Sequence, residues 1–279
     1  MKTSRRHFFR SAGLVGLGVA ATPGINPLKG AGKEKAAGQP KFEIGVASYG
    51  LRGLTFEEVV ETMKKLQIRN LSLKSMHLPF DLSDQEIRER MKIMRGEGLN
   101  PYAPGVVYMK SEQEVHDRFE YTQTAGMGMI VAVPNYDLLD LVEKKIEETG
   151  IRIAIHTHGP DNLPYASPTD AYDRIKNRDP RLGICIDLAH VLRSQLDPVQ
   201  QIHAVKDRIL DIHIRDVTKA AKEGHTCRPG QGIFDFRASL SALTEIGYDG
   251  FVSIEYEAEK EDPIVGHAET KGYINGAMS

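Results

Sequence analysis

Cysteine, charge of one sign and long apolar runs are all scarce in this 279-residue chain, and each scarcity removes a class of protein. Two cysteines in the whole sequence are too few for a disulfide framework, even in an oxidising compartment. Cys185 falls inside an expected strand and Cys227 in a loop, so the two either bridge or, the reading favoured here, stay as free thiols. The formal net charge is −2, which leaves no basic excess to hold a polyanion such as nucleic acid. The apolar run Ala12–Ala21 is short and interrupted by glycine, which excludes a stable membrane span there. No Gly-x-Gly-x-x-Gly turn follows the first expected strand and no Walker-type phosphate loop occurs. A doubly wound nucleotide-binding sheet is therefore disfavoured.

What the chain does contain begins with a leader. Arg5 and Arg6 stand behind Ser4, Phe8 and Phe9 follow, and a weakly apolar stretch ends in Val19-Ala20-Ala21. This resembles a twin-arginine export signal cleaved near Ala21, and it implies a periplasmic mature protein. Gly24–Gln39 is rich in Gly, Ala and Lys and reads as a flexible tether. Residues 1–40 are set aside as signal and linker, and residues 41–279 are taken as one domain.

Within that domain, short apolar runs alternate with amphipathic ones. Strands are expected at Phe42–Ser48, Asn70–Lys74, Asn100–Val107, Met129–Val133, Ile151–His158, Leu182–Asp187, Arg208–His213 and Phe251–Glu255. Helices are expected between them, over Thr55–Leu66, Asp84–Arg95, Glu112–Ala125, Tyr136–Glu148, Thr169–Lys176, Pro198–Val205 and Phe236–Ile246. Thr55 with Glu58 makes a capping-box pattern, and Ser83 is a cap for the second helix. Eight such units close most naturally into an α/β fold of the (β/α)8 TIM-barrel type, whose active site sits at the C-terminal mouth of the strands. The long connection Asp216–Phe234, with His225, Arg228 and Gly230-Gln231-Gly232, is placed to cover substrate there.

The last four expected strands each end in a residue able to bind metal. With alternating side chains, Ala154, His156 and His158 share a face, as do Gly183, Cys185 and Asp187. Asp211 shares a face with His213, and Ser253 with Glu255, while the intervening isoleucines point the other way. His156, Asp187, His213 and Glu255 thus form a candidate set of metal ligands. A carboxylate such as Glu255 is costly to bury without a partner, and a metal supplies one. His156 and His158 both point into the mouth, so one can bind metal while the other contacts substrate or moves a proton. His190, on the turn after Asp187, can face substrate, and Asp216 either orients a histidine or caps its loop. Lys74 and His77, beyond the second strand, are candidates to contact a sugar oxygen or an enolate, with a solvated strand end as the equal alternative.

Taken in order, Asp187-Leu188-Ala189-His190, His213-Ile214-Arg215-Asp216, Gly230-Gln231-Gly232-Ile233-Phe234-Asp235-Phe236 and Val252-Ser253-Ile254-Glu255 resemble the sugar phosphate isomerase/epimerase superfamily, built on the xylose isomerase-like TIM barrel. The resemblance covers nearly all of the chain after the leader. It implies one divalent ion held by a fifth-strand Glu, a sixth-strand Asp, a seventh-strand His and an eighth-strand Glu, and a substrate contact for His190. Asp187, His213 and Glu255 match by position. The fifth strand departs: His156 stands where the ketose epimerases keep one of two paired catalytic carboxylates, so two-carboxylate epimerisation does not simply carry over.

The expected function is a metal-dependent isomerase or epimerase acting on a small-molecule keto sugar or related polyol. Mn²⁺ is the expected ion, with Zn²⁺, Co²⁺, Fe²⁺ or Mg²⁺ as alternatives; it would chelate the carbonyl and stabilise a cis-enediolate. Glu255 is the expected base for one proton transfer, His156 or His158 serves the other face, and His190, Lys74 and Arg228 position hydroxyls. The alternative is a lyase, in which α-proton removal from a 3-keto-glycoside is followed by β-elimination. A non-catalytic sugar-binding protein needs no such donor set. An apurinic endonuclease, which shares the barrel, needs more ligands, and Asn100–Met109 contains no histidine. The particular sugar and the oligomeric state are open, a homo-oligomer included.

Overall fold

The structure is a computed structural model that describes residues 39–161, 164–258 and 262–279. The leader expected over residues 1–40 lies, save for its last two positions, outside the described residues.

The expected alternation produces strands β1 (Glu43–Ala47), β2 (Asn70–Leu73), β3 (Asn100–Pro104), β4 (Val107–Met109), β5 (Met129–Pro134), β6 (Arg152–His156), β7 (Leu182–Asp187) and β8 (Ile209–Ile214). A two-stranded ladder, β9 (Asp216–Val217) with β10 (Thr226–Cys227), precedes the last strand, β11 (Phe251–Ile254). The main sheet runs β3-β2-β1-β11-β8-β7-β6-β5-β4, and its neighbours are all parallel. The third expected strand, Asn100–Val107, forms β3 as far as Pro104; its last residue opens a separate strand, β4, so that β3 pairs with β2 and β4 with β5. Because the two ends of the sheet are adjacent in the chain, the sheet curls into the (β/α)8 barrel.

The parity read from the sequence decides which way each strand faces. Ile153, Ile155, Ile184, Ile186, Ile212, Ile214, Val252 and Ile254 join the large apolar layer between sheet and helices. The alternate positions Ala154 and Cys185 join Tyr102, Ala103, Met129 and Val131 in a smaller cluster inside the barrel. Burying an isoleucine contributes about 1.5–3 kcal/mol, so a one-residue slip, which would swap these faces, is strongly disfavoured.

The helices are α1 (Phe56–Leu66), α2 (Asp84–Gly96), α3 (Glu112–Thr124), α4 (Leu139–Thr149), α5 (Pro168–Ile175), α6 (Leu188–Arg193), α7 (Pro198–Ala204), α8 (Phe236–Glu245) and α9 (Pro263–Ala277). Both capping boxes form, Thr55 with Glu58 and Ser83 with Glu86. Neither α6 nor α9 is announced by the sequence. α6 is six residues long and has no room for a period; it starts because Asp187 Oδ1 accepts the His190 N–H at 2.9 Å. α9 is interrupted by Gly266, Gly272 and Gly276, poor helix formers. Gly266 is needed there, since a Cβ would collide with the Tyr256 ring.

Asp216 takes the second of its two expected roles. Its buried carboxylate accepts backbone N–H groups from Val217 (2.8 Å), Gly230 (2.8 Å), Gly232 (3.0 Å) and Phe234 (3.0 Å). Residues 216–234 are thereby tied into a closed loop. Leaving a buried donor unsatisfied costs about 1–3 kcal/mol, and Val217 and Phe234 are both buried. Asp216→Ala is therefore expected to lose about 3 kcal/mol in urea unfolding and to become cleavable by protease within residues 218–230. Cys185 is buried and Cys227 half-buried, and the two do not form a disulfide with each other.

Candidate metal centre

Strands β6, β7, β8 and β11 lie side by side, and their registers bring the chemical ends to one level. His156 pairs with Cys185, Asp187 with His213, and His213 with Ser253. Glu255 follows β11 directly, its N–H held by the Ile214 carbonyl at 3.2 Å. One ligand atom from each of His156, Asp187, His213 and Glu255 lies within 4.8 Å of the others, and all four residues are buried. His213 Nδ1 is 3.2 Å from Glu255 Oε2, and His156 Nε2 is 3.8 Å from Asp187 Oδ2.

Two imidazoles and two carboxylates at this spacing fit a divalent ion. His156 Nε2 and Asp187 Oδ2 are buried with no hydrogen-bond partner, a cost that a cation between them removes. Beneath the four donors, Tyr102 donates its hydroxyl to Asp211 at 3.0 Å, and Asp211 Oδ2 faces His213 Nε2 at 3.8 Å. That carboxyl, pushed up to about 6 by burial, lies behind the histidine without hydrogen-bonding it.

Arg215 was not among the expected site residues, and it dominates the electrostatics. It is buried, with Nη1 at 2.7 Å from both Asp187 Oδ2 and Glu255 Oε2, and 3.5 Å from Glu257 Oε1. Toward Asp187 the geometry is that of an ion pair without hydrogen-bond alignment, whereas the contact with Glu255 is a hydrogen bond. Burial drives the Asp187 carboxyl up, but Arg215 and His190 outweigh it and hold the group below its usual range. For Glu255 burial is likewise outweighed, chiefly by His213 and then Arg215. Glu257 is less compensated, and burial pushes it up to about 7.

The imidazoles divide: burial lowers His213, but the neighbouring Cys185 and Glu255 outweigh it and hold that ring well above its ordinary value, whereas the others move down. Burial, then the neighbouring His158, His213 and His190, hold His156 well below its ordinary value. Burial also lowers His158, and lowers His190 to about 4 against the pull of Asp187. Away from the site, buried His267 falls to about 4 for the same reason. The four lowered rings, His156, His158, His190 and His267, are neutral at pH 7, the form that binds metal or accepts a proton. Because the folded values lie below the free value of about 6.5, the unfolded chain takes up protons first as pH falls. His267, apart from the site, isolates the effect: its contribution to stability is present above about pH 6.5 and is lost toward about pH 4, whereas Asp211 and Glu257, raised to about 6 and about 7, act in the opposite sense within the centre. Thermal melts of the metal-free protein and of His267→Gln across a pH series at fixed salt check this: the gap between them is expected to narrow as pH falls from about 6.5 to about 4, and a constant gap contradicts it.

Above the donors opens a cavity of about 300 Å³, lined by Tyr49, Lys74, Val106, Tyr108, His156, His158, His190, Glu255 and Glu257. His158 Nε2 is 3.0 Å from the Tyr108 hydroxyl, and Lys74 Nζ donates to the Val106 carbonyl at 2.5 Å. His190 is held between Arg193 (3.0 Å) and Arg215 (3.3 Å). Of the expected site residues, Lys74, His158 and His190 are thus in the cavity wall. Two expected contacts are not. His77 has no exposed surface, and its nitrogens bond Ser48 Oγ (2.9 Å) and the Leu51 carbonyl (3.2 Å), so it braces the loop after β1. Arg228 is paired with Glu269 of α9 and lines a separate groove of about 1050 Å³ with Tyr273.

Tyr49, Val106, Tyr108, Arg215 and Glu257 are the cavity and site residues that the sequence reading missed. Two of them were within reach of it: Arg215 and Glu257 lie two residues beyond His213 and Glu255, on the same side of the strand direction.

A family model described as xylose isomerase-like TIM barrel matches residues 42–275, and the chain belongs to that family. The inosose dehydratase of Lacticaseibacillus casei is 25% identical over 158 residues, 50% of this chain and 53% of that protein. The chain thus spans about half the length of the first curated relatives it matches. The inosose dehydratase of Geobacillus thermodenitrificans is 24% identical over 262 residues, 82% of this chain and 86% of that protein. Among solved structures, the IolI protein with a bound zinc atom superposes with a TM-score of 0.71 at 19% identity, over 85% of this chain and 98% of that one. The 3-keto-D-glucoside 4-epimerase of E. coli superposes at 0.68 and 17%, over 85% and 100%. Both show the same barrel. Among the described residues no helix is long and apolar enough to cross a membrane.

Proposed function

We propose that the chain is a metal-dependent enzyme that removes the proton α to the carbonyl of a keto sugar or keto polyol, and that the reaction continues by β-elimination. The observation that carries this reading is a division between floor and wall. His156, Asp187, His213 and Glu255 converge on one point, while His158 and Glu257 line the cavity outside that set. Glu255 and His156, expected as proton carriers, are therefore assigned to the floor as ligands.

A divalent ion held by those four residues would polarise the substrate carbonyl and steady the charge left by the departing proton. Two nitrogen donors among four suit Zn²⁺, Co²⁺ or Fe²⁺ better than Mn²⁺ or Mg²⁺. The neutral ring of His158 accepts the α-proton, and Lys74 lies beside the developing oxyanion. His158, protonated by that step, delivers the proton to the β-oxygen as its bond to carbon breaks, so a carbon–carbon double bond forms and water or an alcohol leaves. His190 positions a hydroxyl. The inosose dehydratases among the relatives support an elimination. An isomerase or epimerase remains the second reading, because the same cavity wall can return the proton to carbon instead. Export through the leader with Arg5 and Arg6 is retained as part of the proposal.

Proton NMR in D₂O with keto sugars, 3-keto-glycosides and inososes tests the reading. Loss of water or an aglycone, with a new enone signal, is the expected result. Deuterium at the α-carbon of otherwise intact substrate favours the epimerase, and no exchange with any of the three classes contradicts both.

A further inference from the structure

A buried guanidinium beside a cation site is unfavourable, because two positive charges a few ångströms apart repel strongly where water is excluded. Arg215 is nevertheless 3% exposed and 2.7 Å from Asp187 Oδ2 and Glu255 Oε2. Asp187 has no spare oxygen, since Oδ1 already accepts the His190 N–H at 2.9 Å. The guanidinium therefore neutralises the very oxygen a metal needs. On the cavity side of the same nitrogen, 3.5 Å away, stands the third carboxylate, Glu257.

We propose that Arg215 is an internal counter-cation for the metal-free centre, and that metal uptake shifts its guanidinium from Asp187 and Glu255 onto Glu257. This rests on the reading of His156, Asp187, His213 and Glu255 as metal ligands. Without an ion, two buried carboxylates with oxygens within 4.8 Å of each other would repel and collapse the site or take up protons. Arg215 keeps both charged and in position, so the donors are preformed. The consequence is competition. His156 supplies a neutral donor where a carboxylate would add charge, so the donor set offers two negative charges and Arg215 offsets one of them. Glu257 gives the displaced guanidinium a partner, and the pair so formed lies against the substrate cavity, coupling metal loading to the shape of its wall.

Calorimetric titration of the full chain, stripped with chelator and then given Zn²⁺, tests this against Arg215→Met. The variant is expected to bind Zn²⁺ about tenfold more tightly and to show a larger metal-induced rise in melting temperature, because its metal-free form has lost the counter-charge. A variant that takes up one ion with unchanged or weaker affinity overturns the counter-cation role and leaves the metal centre standing. No saturable uptake by either protein overturns both. If Arg215→Met does not fold, Glu257→Gln, which leaves the buried Arg215 contacts intact, is expected to bind Zn²⁺ about fivefold more weakly because the guanidinium has nowhere to go. Unchanged affinity there overturns the hand-over.

Discussion

Asp187→Asn is expected to fold, to lose its metal, and to turn over at least about 10³-fold more slowly. Three functions meet in this one carboxylate. Oδ2 faces His156 and the point where the donors converge, Oδ1 caps α6, and the charge balances Arg215. The amide keeps an oxygen for the cap, so α6 and His190 stay in place. It cannot supply a negative charge to an ion, and it leaves Arg215 with Glu255 and Glu257 alone. A metal acting as Lewis acid contributes several kcal/mol to the barrier, and each 1.36 kcal/mol is a factor of ten, which gives the estimate of about 10³. Metal content by elemental analysis and turnover on whichever keto sugar the NMR screen yields are the two readouts. Full metal occupancy with full turnover contradicts the assignment.

The second large effect is expected at His158. His158→Asn removes the ring from the cavity wall without touching the four donors, so metal content is expected to stay at the wild-type level. Turnover is expected to fall by about 10²–10⁴, the range for loss of a positioned general base. Solvent-deuterium exchange at the α-carbon is expected to fall with it, since proton removal precedes either outcome. A variant that exchanges deuterium at the wild-type rate would return the base to Glu255, the assignment made from sequence alone. The pairing of this variant with Asp187→Asn separates wall from floor: one loses proton transfer and keeps metal, the other loses both.

The eight βα units are legible in the sequence because parallel strands covered by helices place isoleucine at every second position. In β6, β7 and β8 those isoleucines form the outer layer, and the residues between them point inward. The same parity brings His156, Asp187, His213 and Glu255 together, since parallel register aligns strand ends without any further information. Three features are hidden from such a reading. The break between β3 and β4 follows from which neighbour each strand pairs with, a long-range fact. α9 carries three glycines and packs by close approach to Tyr256, so it has no apolar period to find. Arg215 and Glu257 share the parity of His213 and Glu255, but a charged side chain past a strand end is ordinarily solvated, and only the three-dimensional pairing shows that these two are held inward.

The misplaced residues carry the same lesson. Lys74 and His77 are three residues apart, yet the turn after β2 sends Lys74 to the cavity and His77 under the loop after β1. Arg228 sits in a loop whose position is set by Asp216 and whose partner, Glu269, is 41 residues away. Polarity near a mouth predicts candidates; backbone path and distant partners select among them.

The centre itself is tested most directly by metal titration of the purified full chain after chelator treatment, read by calorimetry and elemental analysis. One divalent ion per chain, lost when Asp187→Asn and Glu255→Gln are combined, is the predicted result. No saturable uptake, or uptake undiminished in the double variant, would contradict a metal centre built from His156, Asp187, His213 and Glu255.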